Sequence, residues 1–147
     1  MLIVDKRTAL AIPPLLRLGF RPFFLLGSLL AALALPLWIF AWLAGWHSLQ
    51  PQGGWLAWHR HEMAFGFAGA IIAGFLLTAV QNWTGRPGLS GRPLGALVVL
   101  WLLARTAWWQ PWAPLLLLSN LAFFAAVAVV MARQLWAVRQ VRNYPIV

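Results

Sequence analysis

The chain has 147 residues, of which 63% are hydrophobic and only 9% charged, and its mean hydropathy is +0.79. A soluble domain carries about 25% charged residues, so these residues could not cover a surface that faces water. The composition excludes a soluble globule and predicts a single integral membrane domain.

Residue counts exclude several further classes of protein. There is no cysteine, which rules out disulfides and thiolate metal sites. The acidic residues are Asp5 and Glu62 alone, so paired-carboxylate catalysis within the chain is not expected. The net charge is +9, but the basic residues are scattered among apolar runs and form no continuous face for nucleic acid. We therefore expect the lipid bilayer to be the main partner, and no nucleic acid.

The first segment is a basic lead-in over residues 1–22, with four Lys or Arg residues and the helix-breaking pair Pro13-Pro14. Its last part, LLRLGFRPFF, suits either an interfacial segment or a plain basic anchor. Residues 23–44 contain no charge and are long enough to cross the hydrocarbon core. A signal peptide has a shorter apolar region and a small-residue cleavage site, so we predict a retained span.

Three more spans follow at residues 58–80, 93–109 and 114–138, before a tail at 139–147. Polar and turn-forming residues separate the second span from the third, and only four residues separate the third from the fourth. The predicted fold class is all-α. We expect a polytopic membrane bundle of four transmembrane helices that form one domain over residues 23–138.

The distribution of charge predicts the orientation of the bundle. Lys and Arg lie before the first span, between the second and third, and after the fourth, while the other two loops contain neither. The positive-inside rule then places both termini in the cytoplasm. Tryptophans flank the two uncharged loops, as an aromatic belt at the outer surface requires. They are Trp42, Trp46, Trp55 and Trp58 at the first of these loops and Trp108, Trp109 and Trp112 at the second.

Possible metal ligands concentrate in HRHEM, at the outer start of the second span, which supplies His59, His61, Glu62 and Met63. On a regular helix His59 shares a face with Met63 and lies near Glu62, whereas His61 is about 200° around from His59. Either the first turn is irregular or the two histidines serve different centres. Histidine and methionine suit copper or haem iron, and Glu62 could orient a histidine. The simpler alternative is a pair of interfacial histidines.

Glu62 and Arg105 are ionisable residues within the spans, and such residues point to function or to buried partners. Glu62 belongs either to a site or to headgroup depth, where it could pair with Arg60 or Arg21. Arg105 lies inside the third span, opposite polar residues of the fourth span that could bond to it. These polar residues are Ser119 and Asn120.

Small residues recur on the second span, where Gly66, Ala70 and Gly74 are spaced by four. Such a stripe favours close helix packing, and room for a planar cofactor is the second interpretation. The turn after this span contains NWTGRP. It is either a basic turn that fixes topology or an anion-binding loop.

Three segments of the chain carry a family resemblance: LRLGFRPFFLLG (residues 16–27), WHRHEMAFGFAGAIIAGFLLTAVQNWTGRP (residues 58–87) and LSGRPL (residues 89–94). They strongly resemble the NnrS family, bacterial inner-membrane proteins associated with haem and copper and with the response to nitric oxide. Family members share the H-x-H-E-M-x-F-G-F and N-W-T-G-R-P patterns. The resemblance covers most of the chain.

The resemblance implies haem and copper as cofactors and a multi-pass location in the bacterial inner membrane. It makes His59, His61 and Met63 candidates for cofactor binding, and adds Glu62 to them as candidate metal ligands. It gives no role to Asn82, Trp83 or Arg86 of the turn, and Arg105 stays a separate candidate.

Family members are longer, with about a dozen helices, and this chain looks like their first third. The missing ligands would then come from a separate chain with the remaining helices or from a homo-oligomer. The expected function is a part in nitric oxide response or metabolism, and the sequence does not decide whether the chain is an enzyme. The alternative is a truncated, non-catalytic subunit that scaffolds a partner, or part of a transporter.

Overall fold

The computed structural model describes residues 10–46 and 48–139, and all regular structure in those ranges is helical. This confirms the predicted all-α class. The start of the predicted lead-in and nearly all of the predicted tail lie outside the described residues. We number four helices: α1 (Phe20–Leu43), α2 (Trp55–Thr84), α3 (Arg92–Thr106) and α4 (Ala113–Ala137). Short 3₁₀ turns precede α1 at Pro14–Leu16 and follow α3 at Ala107–Trp109.

Three of these helices are long and apolar enough to cross a membrane: α1 with 24 residues, α2 with 30 and α4 with 25. This supports a multi-pass membrane protein. Helix α3 has 15 residues, roughly 22 Å at the rise of an α-helix, and its 3₁₀ turn adds roughly 6 Å. That length lies just below a hydrocarbon core of about 30 Å. The count of four spans, the cytoplasmic termini and the predicted segment bounds therefore stay predictions.

Helices α1 and α2 approach closely because small residues line their contact. A Cβ atom on Gly74 would lie 3.0 Å from the Cβ of Phe23 and 3.2 Å from the Cα of Phe20. Ala70, one turn earlier, is fully buried. The Phe20 amide, at the unsatisfied start of α1, donates to the hydroxyl of Thr78 at 2.9 Å. At these positions the stripe is occupied by α1, which leaves no room for a planar cofactor.

The two uncharged loops meet at one end of the bundle, which we call the loop end. The Gln52 amide donates to the Trp108 carbonyl at 3.0 Å, so the α1–α2 loop is fastened to the 3₁₀ turn after α3. The ring centroids of Trp58 and Trp109 are 5.9 Å apart. The predicted belt is only partly correct, however. Trp55, Trp58 and Trp108 are buried inside the bundle, whereas Trp42 and Trp112 are exposed.

The contact of α1 with α2 can be tested at Gly74. We expect Gly74→Ala to lower the free energy of unfolding by about 1–3 kcal/mol, because the new methyl group forces two helix backbones apart. Gly95→Ala is the matched control, since its Cβ would meet Leu16 at an ordinary 3.5 Å. Alanine should stabilise α3 there by up to about 1 kcal/mol. Thermal unfolding in detergent, followed by tryptophan fluorescence, measures both; equal behaviour of the two variants would contradict the packing.

Candidate functional site: a buried charge cluster

Seven residues inside α2, Glu62–Ala68, form a π-helix. They join two α-helical segments, Trp55–His61 and Gly69–Thr84. Within the π-helix the Gly69 amide donates to the Ala64 carbonyl, five residues earlier. π-helical turns are rare in proteins, and those that occur are often found at functional sites. The irregularity begins directly after HRH, so both histidines lie on a regular α-helical segment and point in different directions, as the sequence predicts.

Glu62 is the centre of the site and is fully buried, with 0% of its surface exposed. Its Oε2 lies 2.8 Å from Nε of Arg105 on α3. This contact is an ion pair and not a hydrogen bond, so the attraction is Coulombic. Its Oε1 accepts a hydrogen bond of 2.7 Å from the indole of Trp108. The predicted partners Arg60 and Arg21 are therefore wrong, because Glu62 faces the bundle interior and not the headgroups.

Arg105 joins Glu62 to the fourth helix. Its Nη2 donates to Oδ1 of Asn120 at 2.7 Å, which confirms the predicted bond across the α3–α4 hairpin. Its guanidinium carbon lies 5.1 Å from the ring centroid of Trp101, within cation–π range. The predicted bond from Ser119 is wrong. That hydroxyl donates at 2.7 Å to the Leu115 carbonyl of its own helix.

Gly66 provides the space for this ion pair. A Cβ atom there would lie 2.6 Å from Oε2 of Glu62 and 3.3 Å from Nη1 of Arg105. It would also lie 2.7 Å from Leu30 of α1. The Gly66 carbonyl accepts a bond of 3.2 Å from the indole of Trp101. Gly66 thus serves the ion pair as well as the helix contact.

His61 completes what we call the charge cluster, which consists of His61, Glu62, Arg105, Trp108 and Asn120. Its Nδ1 lies 3.2 Å from Oε1 of Glu62, so the histidine that contacts Glu62 is His61 and not His59, which helix spacing predicts to lie near it. The imidazole also packs against Phe65, with centroids 4.8 Å apart, and edge-on against Trp108. These contacts hold the ring in one orientation.

The other two predicted ligands lie elsewhere. His59 stacks on Trp38 of α1, with centroids 4.3 Å apart and planes 9° from parallel, and its buried Nδ1 has no hydrogen-bond partner among the described residues. Met63 packs against the apolar cluster at the loop end, which includes Trp55 and Trp58. In residues 10–46 and 48–139, no three His, Cys, Asp or Glu side chains are grouped to hold a metal ion.

The turn residues singled out from the sequence lie far from the charge cluster. Twenty residues of α2 separate Glu62 from Asn82, which is roughly 30 Å along a helix. Asn82 and Arg86 are exposed, and Trp83 packs against the main apolar core. The structure does not bring these residues to the site, and a role for them stays a prediction.

Trp108 is the residue of the charge cluster whose predicted position is wrong. The sequence predicts it in the aromatic belt, yet it is buried and donates to Glu62. The sequence does contain a signal for the bond between Trp108 and Glu62. An indole N–H buried in an apolar bundle needs an acceptor, and Glu62 is the only carboxylate in the predicted spans. Composition alone cannot tell which face of a helix carries a tryptophan.

A comparison with known families covers this site. The family model described as NnrS protein matches residues 14–147. The chain belongs to the NnrS family. The matched region contains all four helices and every residue of the charge cluster. No curated protein and no solved structure matches the chain significantly.

The ion pair in this NnrS family member can be tested by a double-mutant cycle. Glu62→Gln keeps an oxygen for Trp108 but leaves Arg105 buried without a counter-charge, which should cost about 3–5 kcal/mol of unfolding free energy. Glu62→Gln/Arg105→Met removes both charges, and we expect a coupling energy of about 1–3 kcal/mol. Thermal unfolding of the wild type, both single variants and the double variant gives this energy. Strictly additive losses would show that the pair is not coupled.

Proposed function

We propose that this chain is an NnrS-like membrane protein that binds haem or copper and contributes to nitric oxide response or metabolism, with His61 as its ligand. Family membership supports the membrane setting and the class of cofactor. The observation that carries the proposal on this chain is the 3.2 Å contact between Nδ1 of His61 and Oε1 of Glu62.

That contact is the usual arrangement around a metal-binding histidine. Such residues commonly donate one ring N–H to a carboxylate, which fixes the tautomer and the direction of the ring. When Nδ1 of His61 donates to Glu62, Nε2 keeps the lone pair that haem iron or copper requires. The side chain of His61 is 23% exposed, so part of the ring is accessible from outside the bundle core.

The residues of this site supply one ligand to a metal ion, His61, and not a complete set of ligands. His59 fits less well, because Trp38 covers its ring and its Nδ1 is enclosed. Met63 is engaged in apolar packing. We therefore propose that further ligands come from a second copy of the chain or from helices of a separate chain.

The chain's own contribution is to bind and orient. Glu62 holds the imidazole, Arg105 neutralises the carboxylate, and Trp108 fixes the oxygen that faces His61. A haem iron or copper ion at this nitrogen would supply a centre that binds nitric oxide and exchanges electrons. Nitric oxide turnover, nitric oxide sensing and metal protection can all use such a centre. We therefore propose the ligand and leave the reaction open.

The proposal is tested on protein purified from native membranes in mild detergent. We expect a Soret band or bound copper that is lost in His61→Ala, because the iron or copper loses its nitrogen ligand. Glu62→Gln should weaken binding by about 10- to 100-fold, because the neutral amide no longer raises the basicity of the His61 ring as a ligand. His59→Ala, a matched change on the same helical segment, should retain the cofactor. Visible absorption and metal analysis measure all three.

Two outcomes would contradict this assignment. A wild-type protein that is monodisperse but colourless and metal-free, even with its native partners, would favour the alternative of a non-catalytic scaffold. Equal cofactor loss in His59→Ala and His61→Ala, with both variants folded, would show that the orientation by Glu62 does not select the ligand.

A further inference from the structure

An apolar groove lies at the loop end, separate from the charge cluster. One part is a cavity of about 310 Å³, whose lining is Trp38, Ile39, Trp42, Leu43 and Leu56. A second cavity of about 390 Å³ shares two of these residues as walls and continues to the loop glycines Gly53 and Gly54. The two cavities adjoin at these shared walls, and we treat them together as one groove that runs from the apolar face of α1 to the loop.

Arg60 lies on the helix face beside this groove. It follows Leu56 by four residues in the α-helical segment Trp55–His61, so the two side chains share a face. Helical side chains lean towards the N-terminus of their helix, which directs the guanidinium towards Leu56 and the loop. Arg60 is exposed.

Arg60 has no anionic partner within the described part of the chain. The acidic residue available there is Glu62, which is fully buried and paired with Arg105. Arg60 belongs to a helix whose mean hydropathy reaches 2.1 over its most apolar window. An arginine on such a helix extends to the membrane boundary, where phosphate groups of lipids are the abundant anions.

We propose that Arg60 and this groove bind one anionic phospholipid from the leaflet at the loop end. Arg60 binds the phosphate group, and one acyl chain lies along Trp42 and Leu56 in the groove. Trp42 is 63% exposed, as suits an indole at the headgroup boundary. A zwitterionic lipid would fill the apolar part equally well, but its own cation would offset the phosphate that Arg60 binds, so the net charge of the headgroup distinguishes the two.

Native mass spectrometry of the full chain, delipidated in detergent, tests the site. Titration with phosphatidylglycerol and with phosphatidylcholine of the same acyl chains gives the affinity for the first bound lipid. We expect phosphatidylglycerol to bind about fivefold more tightly, the usual contribution of one arginine near anionic lipid. Arg60→Gln should abolish this preference and Arg60→Lys should retain it. Arg133→Gln, which removes an exposed arginine from the far end of α4, is the matched control and should leave the preference unchanged.

A groove-filling variant separates the two parts of the site. Ile39→Phe should weaken both lipids to a similar extent and leave their ratio unchanged, because it blocks the acyl chain and not the phosphate. Equal affinity of the two lipids for the wild type would overturn the proposal. A preference for phosphatidylglycerol that survives in folded Arg60→Gln would overturn it as well. None of these measurements depends on haem or copper, so the result is independent of the proposed function.

Discussion

A carboxylate and a guanidinium that leave water together must neutralise each other, and the arrangement of this bundle depends on one such pair. Glu62 of α2 and Arg105 of α3 meet at 2.8 Å. Trp108 and Asn120 then extend the contact to the turn after α3 and to α4. Apolar surface gives helices in lipid little reason to associate with one another. A buried charge with one correct partner therefore specifies which helices meet, and in which register.

The π-helix is the backbone feature that makes this pair possible. One residue inserted into an α-helix turns the side chains that follow by about 100° around the helix axis, relative to those that precede it. The π segment Glu62–Ala68 inserts such a change between the histidines and the later part of the small-residue stripe, Ala70 and Gly74. Gly66 lies within this segment, and a Cβ atom there would clash with Oε2 of Glu62. The π-helix orients Glu62 and the absence of a side chain at Gly66 leaves space for it, so both features are needed for the ion pair with Arg105.

Sequence reasoning succeeded where a polar group had few possible partners. The all-α class followed from composition, and the bond from Arg105 to Asn120 followed because the spans contain few acceptors. It did not pair Glu62 with Arg105, because hydropathy leaves Glu62 open to a buried site or to headgroup depth and does not show which helices meet. The π-helix was not predicted either, since residue periodicity in an apolar run that is rich in glycine and alanine does not distinguish it from an α-helix. Trp108 was misplaced because amino-acid type does not reveal which way an indole faces.

The motif HRHE can now be explained by the geometry of a single helical turn. Successive residues on an α-helix are about 100° apart, so positions 59, 60 and 61 face three different surroundings. His59 meets Trp38 of α1, Arg60 is exposed, and His61 meets Glu62 and Trp108. Two histidines separated by one residue therefore cannot act as a chelating pair here. One ring is held by an aromatic stack at the wall of the apolar groove, and the other is held by a carboxylate whose charge Arg105 balances. The three successive residues of this turn therefore contact α1, the exterior and the buried charges, respectively. The two histidines have different surroundings for this reason.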